Sequence, residues 1–188
     1  VSRRPAPDAN LSPTPTAYTP PAGPAGPPPP RLLPFDLFFS FSVTITGFSD
    51  AELHGTAMAK TYFALVPTIV GEALFGRLLA IWQDTYIRGK GSEPLLEKLV
   101  KEQILEDPDL GPIARNVATL WYLGMWFQMP AEWRNRHGAW ANDVTFVVSP
   151  QSYTEGLVWQ AIHTHPPAAK QPGYGSWALP PVTTGDAP

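Results

Sequence analysis

The sequence predicts an all-α fold: a bundle of five or six short helices with an extended Pro-rich N-terminal arm and a Pro/Gly-rich C-terminal tail. Three observations predict it. From Phe35 onward apolar residues recur every three or four positions, the period of a helix with one buried face. Helix start and stop signals bracket those runs. Proline crowds the start, with twelve of the chain's 24 prolines among the first 34 residues. The 188 residues suit one domain plus an arm, divided as an arm over 1–34, a helical domain over 35–165 and an extended tail over 166–188.

The arm is too poor in apolar groups to offset the entropy of ordering, and Pro27-Pro28-Pro29-Pro30 favours polyproline II. It reads either as a flexible linker or as an arm laid over a partner, where its restricted conformation lowers the entropy cost of docking. Phe35 to Thr46 then forms a helix stopped by Gly47. Ser49-Asp50-Ala51-Glu52 is a capping-box pattern, opening a helix that runs towards Val66. Pro67 breaks or kinks it. Ile69, Ala73, Leu74, Leu78, Ile81 and Trp82 mark an amphipathic helix to about Tyr86, and Gly89-Lys90-Gly91 is a turn. Ser92 with Pro94 opens a helix carrying Leu95, Leu96, Leu99 and Ile104, closed at Asp107-Pro108-Asp109. Pro112 starts the next, with Ile113, Val117, Leu120 and Gly124 on one stripe. Met129 to Asp143 loses the period and reads as a loop. Val144 to Val148 has strand composition, and Ser149-Pro150 caps a last helix to about Ile162.

Composition excludes several functions. Thirteen Lys and Arg stand against sixteen Asp and Glu, leaving no basic excess for phosphates, so no nucleic-acid partner is expected. The absence of Cys removes disulfides, thiolate chemistry, Cys-ligated zinc, iron–sulfur clusters and covalent haem attachment. The most apolar stretch, Thr61 to Trp82, is interrupted by Pro67, Glu72 and Arg77 and reads as packed helices rather than a membrane span. Ser2-Arg3-Arg4 has the look of a twin-arginine signal, but Pro5-Ala6-Pro7-Asp8 follows where an apolar region belongs, so it reads as a solvated basic end.

Catalytic patterns are scarce. The sequence has no dinucleotide-binding glycine fingerprint, P-loop or zinc-protease helix. His163 and His165 are the one close histidine pair; His54 and His137 lie on distant segments, so no metal site is expected and the pair is placed at the end of the last helix, where a cation favours the dipole. Glu52, Glu72, Glu93, Glu97, Glu102 and Glu106 read as caps or solvated faces. Glu155, among apolar neighbours, is the acid to watch, read first as a structural or ion-pair carboxylate. Ser152 has no neighbouring His and no nucleophile elbow. The aromatic load is what stands out: Trp121, Tyr122, Trp126, Phe127, Trp133, Trp140, Tyr153, Trp159, Tyr174 and Trp177. A core this small is expected to leave a surplus of ring surface facing a protein partner.

Trp121-Tyr122-Leu123-Gly124, then Tyr153-Thr154-Glu155-Gly156-Leu157-Val158-Trp159, then Pro172-Gly173-Tyr174-Gly175-Ser176-Trp177-Ala178-Leu179-Pro180-Pro181 together resemble the small subunit of bacterial membrane-bound, FAD-dependent sugar and polyol dehydrogenases, the fructose, sorbitol and glucose dehydrogenase complexes. Phe38-Phe39-Ser40-Phe41-Ser42 with Thr46-Gly47 is similar to that family's opening helix. The resemblance spans roughly Phe35 to Pro181, with Gly156 where the family commonly has Ala and a longer link between the first two motifs. It implies an all-helical, non-catalytic subunit without a cofactor of its own. It also implies two partners: a large catalytic dehydrogenase subunit holding FAD, and a multihaem cytochrome c subunit passing electrons to quinone. The small subunit would stabilise the large one and escort its export to the periplasm, at the outer face of the inner membrane, with membrane contact through its partners. Mapped onto this chain, the partner-binding residues would be Trp121, Tyr122, Gly124, Tyr153, Trp159, Pro172, Tyr174, Trp177 and Pro180.

The residues leave alternatives open. One is the small subunit of a quinohaemoprotein alcohol dehydrogenase, whose partner would carry PQQ in place of FAD. Another is an independent small enzyme built on Glu155 with His163 or His165. A third is a module presenting Pro27–Pro30 with Arg31 to an SH3-like domain.

Overall fold

The computed structural model describes residues 33–138, 141–164 and 166. They form a mostly helical domain, as the sequence predicts, with one two-stranded ribbon. Residues 1–32 of the arm, Trp140, His165 and the tail from residue 167, with Pro172, Tyr174, Trp177 and Pro180, lie outside the described residues, and Pro34, assigned to the arm, opens the first helix.

Helix α1 (Pro34–Thr46) starts with proline, pre-set for the first turn, and stops at Gly47, whose φ of 74° is left-handed. It runs through the core and buries Leu37, Phe38, Phe39 and Phe41. Its buried hydroxyls return to the helix: Ser42 Oγ donates to the Phe38 carbonyl at 2.8 Å and Thr46 Oγ1 to the Ser42 carbonyl at 2.7 Å.

The helix expected from Ser49 to Val66 is two helices. Helix α2 (Asp50–Gly55) has the capping box, with Glu52 Oε2 accepting from the Ser49 amide at 2.8 Å. It ends where Thr56 Oγ1 donates to the Leu53 carbonyl and accepts from the Met58 amide, while Ala57 takes a φ of 57°. Helix α3 (Ala59–Val70) carries Pro67 inside it, and the stop falls later, at Gly71 with a φ of 85°. Proline forfeits one helical bond, but the three residues after it still close the last turn. Helix α4 (Glu72–Gly89) buries Phe75, Leu78, Leu79 and Trp82.

Helix α5 (Glu93–Val100) crosses the end of α4 at Gly89, where a Cβ would meet Leu96 atoms at 2.8–2.9 Å. A π-helical turn (Lys101–Leu105) continues it. Asp107 Oδ1 then accepts from the amides of Asp109 and Leu110 at 2.8 and 2.9 Å, opening helix α6 (Leu110–Leu123) two residues ahead of the predicted Pro112. Gly124, φ 66°, ends α6.

Strand β1 (Met125–Trp126) pairs antiparallel with β2 (Phe146–Val147), Met125 opposite Val147 and Trp126 opposite Phe146. The predicted strand is real, and its partner is a segment the helical reading passed over. The stretch read as a loop contains helix α7 (Ala131–His137), which begins after Pro130 and stops at Gly138. Its apolar period is a single residue, the buried Trp133, so seven residues show no stripe. The last helix is again two pieces, α8 (Pro150–Thr154) and α9 (Val158–Ala161), broken at Glu155-Gly156.

Candidate functional site: the joint between the aromatic motifs

The C-terminal end of α6 and the α8–α9 segment, far apart in sequence, meet backbone to backbone. The Gly124 carbonyl accepts Ser152 Oγ at 2.9 Å and the Val148 amide at 3.0 Å. The Trp121 carbonyl accepts the Leu157 amide at 2.9 Å. Both glycines of the joint are there for want of a side chain. A Cβ on Gly124 would run into the Ser152 carbonyl, and one on Gly156 would stand 2.8 Å from the Tyr122 carbonyl. Gly124 thus serves close approach, and the element approaching is α8.

Around this joint each predicted aromatic has its own setting. Trp121 is 1% exposed, edge-on to Tyr62 at a ring separation of 5.0 Å. Its ring is consumed by the core and offers nothing to a partner, which corrects its place among the partner-binding residues. Gly124 is buried as well. Tyr122 is half-buried: its hydroxyl donates to the Thr46 carbonyl at 2.9 Å and its ring meets Phe48 edge-on at 5.5 Å, tying α6 to the end of α1. Tyr153 and Trp159, six apart, pack on each other at 5.3 Å and 74°, and Trp159 Nε1 donates to the Tyr153 carbonyl at 2.8 Å. The break at Gly156 folds the two positions together, which one continuous helix would not do.

The expected surplus of ring surface is not found among the described residues. Trp82, Trp121, Trp126 and Trp133 are each at most 1% exposed, and Phe127, at 42%, is the one described aromatic classed with the exposed large apolar side chains. The small core holds its rings by edge-on packing and by giving three of the four indoles a polar partner: Trp82 Nε1 donates to Ser40 Oγ, Trp126 Nε1 to Asp143 and Trp133 Nε1 to the Asp109 carbonyl.

A shallow groove of about 380 Å³ flanks the joint, between α2 and α8–α9, with Glu52, Thr56, Glu155, Trp159, Thr164 and Pro166 on its walls. Gln160 Nε2 donates to Glu52 Oε1 across it at 2.6 Å. The Ser49 hydroxyl, its amide and Gln160 hold the Glu52 carboxyl below the usual range. Glu155 sits half-buried at the break between α8 and α9, and His163, exposed with a φ of 54°, follows α9. Among the described residues no group of three or more His, Asp or Glu is placed to hold a metal ion, and no helix is long and apolar enough to cross a membrane.

Sequence reasoning missed three polar residues that build the C-terminal half. Asn116, on the buried side of α6, clasps Phe127 with both amide atoms, accepting its N–H at 3.0 Å and donating to its carbonyl at 2.9 Å. Asp143 is 2% exposed; its Oδ1 accepts the Met129 amide at 2.9 Å and the Trp126 indole at 3.3 Å, and Arg134 Nε lies 3.6 Å from its Oδ2. Asp109 gathers His137 at 2.8 Å, Arg136 at 3.1 Å and Arg77 at 3.1 Å, joining α4, the 107–109 turn and α7. The His137 hydrogen bond, with those of Arg136 and Arg77, holds its carboxyl below the ordinary 3.8.

Compared with known protein families, with curated proteins and with solved structures, the chain matches none.

Proposed function

We propose that this chain is a non-catalytic small subunit of a periplasmic, membrane-associated dehydrogenase complex. It stabilises and escorts a large catalytic subunit that oxidises a sugar, polyol or alcohol and passes electrons through a cytochrome c to quinone. FAD, or PQQ, and haem c belong to the partners in this reading. The observation that carries it is the joint. The Trp121–Gly124 and Tyr153–Trp159 stretches, on which the resemblance rests, form one contact through the Gly124 and Trp121 carbonyls, so the two motifs act as one structural unit. The third motif, over 172–181, follows this unit in the sequence. The described core houses its own rings, so no surplus of ring surface supports this reading.

The test is what co-purifies with the full-length chain from cells expressing the neighbouring subunits. A flavoprotein accompanied by a haem protein is the expected result. Stoichiometric flavin or haem held by the isolated chain, or turnover that Glu155→Gln abolishes in the isolated chain, would remove this reading in favour of an enzyme.

A further inference from the structure

The ribbon has one closed edge and one open edge. On the outer side of β1, Asn116 takes both the amide and the carbonyl of Phe127. On β2, the Val148 amide donates to the Gly124 carbonyl at 3.0 Å, and Phe146 stands opposite Trp126. Backbone groups in an antiparallel strand turn to alternate sides from one residue to the next. With Phe146 and Val148 turned towards β1, the amides and carbonyls of Thr145 and Val147 point away from it. Among the described residues no group hydrogen-bonds to them there. Val144, Thr145 and Val147 are all exposed.

An open strand edge is ordinarily blunted by a lysine, a proline or an inward charge, because its bare donors and acceptors template another strand. This edge runs Val144-Thr145-Phe146-Val147-Val148, β-branched or aromatic throughout, with neither charge nor proline. Alternating free amides and carbonyls select an extended backbone: main-chain bonds supply the affinity and the flanking side chains the fit. A helix has spent its backbone groups internally and cannot answer them. We propose that the β2 edge pairs with β2 of a second copy of this chain. The copy supplies what the edge lacks. Its β2 is already extended, carries the same row of free groups and, being uncharged, is not repelled by its own kind. A two-fold axis at Phe146 sets Thr145 opposite Val147 of the copy, so that each pair exchanges amide and carbonyl, while Val144 meets Val148. Two strands from each copy then form one sheet, past the three or so that a sheet needs to be stable by itself. The inference does not rest on the subunit reading.

Sedimentation equilibrium of the full-length chain reads the mass, and amide hydrogen exchange followed by NMR reads the edge. A dimer is expected at high concentration, with the Thr145 and Val147 amides protected there and exchanging freely on dilution. The Phe146 amide, which faces β1, is the internal control. Val147→Lys sets a charge on the edge and should weaken dimerisation by at least about tenfold. Because Val147 is exposed, the substitution spares the core, which melting followed by circular dichroism at low concentration verifies. Val147→Thr, uncharged and β-branched, should keep the dimer. A chain that stays monomeric at every concentration overturns the proposal, and so does a dimer that Val147→Lys leaves unchanged. Protection of Thr145 and Val147 that is the same at every dilution overturns it too, because it would assign the edge to a segment of the same chain. The dilution series decides without any variant, and neither outcome touches the capture of a flavoprotein that tests the subunit reading.

Discussion

Ser152 Oγ donates to the Gly124 carbonyl at 2.9 Å, so the first turn of α8 is bolted to the glycine that ends α6. Ser152 also closes the α8 capping box, its Oγ accepting the Ser149 amide at 2.9 Å, so one hydroxyl serves both the local cap and the long-range joint. The arrangement depends on Gly124 twice, for its left-handed φ and for its missing Cβ.

Gly124→Ala and Gly47→Ala separate those two demands. Gly47 is also left-handed, at 74°, but a Cβ there meets nothing within 4 Å. Its replacement should cost about 1–2 kcal/mol of conformational strain alone. Gly124→Ala adds a collision with the Ser152 carbonyl and a Tyr153 amide 2.7 Å away. It should cost about 3 kcal/mol or more, because α8 must lift off. Urea unfolding of the two variants checks this; equal costs would mean that the joint contributes nothing beyond backbone conformation.

Asp143 is the buried charge of the C-terminal half. Asp143→Ala leaves the Met129 amide and the Trp126 indole without their acceptor and Arg134 without its ion-pair partner. Leaving two buried donors unsatisfied costs about 1–3 kcal/mol each. Asp143→Asn keeps one carbonyl oxygen for the Met129 amide and should lose visibly less. Denaturation midpoints for the two variants decide whether the carboxylate or merely its shape is needed.

How far the fold was legible follows from what each element is made of. α1 and the start of α2 could be read because Gly47, Ser49 and Glu52 act within a few residues of themselves. The split between α2 and α3 could not, since Gly55-Thr56 sits inside an unbroken apolar period and the break is made by a Thr56 hydroxyl choosing the backbone. α7 escaped because its one apolar anchor, Trp133, is buried against the Asp109 turn, a contact no local pattern encodes. At the site, the pairing of Tyr153 with Trp159 was hidden for the same kind of reason: helical spacing keeps positions six apart on different stripes, and only the chain reversal at Gly156 brings them together. The Asn116 clasp left one trace, a polar residue inside the Ile113–Val117–Leu120 stripe.

That clasp gives a further prediction. Asn116→Leu suits the helix and the hydrophobic stripe, yet it strips both backbone groups of Phe127 of their partners. A loss of about 1–3 kcal/mol is expected despite the added apolar surface. Faster amide exchange at Phe127 than in the parent chain is the accompanying local signature. A variant at least as stable as the parent would show that water satisfies Phe127 instead.

Acid stability should report Asp109. Its carboxyl titrates below the ordinary 3.8 in the folded chain, chiefly through the His137 hydrogen bond, so the unfolded chain binds a proton first as pH falls. The contribution is whole above that ordinary value and is lost as pH drops through the depressed one. Asp109→Asn should therefore lower stability at neutral pH and flatten its decline below about pH 4. Unfolding midpoints measured across that range test the sign; an unchanged slope would assign the acid sensitivity to other carboxylates.

The subunit reading makes its own demand on Tyr174 and Trp177. If the third motif anchors on the catalytic partner, Tyr174→Ala and Trp177→Ala should leave the melting temperature of the isolated chain unchanged. Each should weaken capture of the partner by about 2 kcal/mol, roughly thirtyfold. Gly124→Ala should do the reverse, lowering the melting temperature first and capture only as the fold is lost. Calorimetry on the isolated variants and binding measured against the purified flavoprotein give the two readouts. A melting loss from Trp177→Ala equal to that from Gly124→Ala would place the ring in this chain's own core and take away the anchor on which the escort role depends.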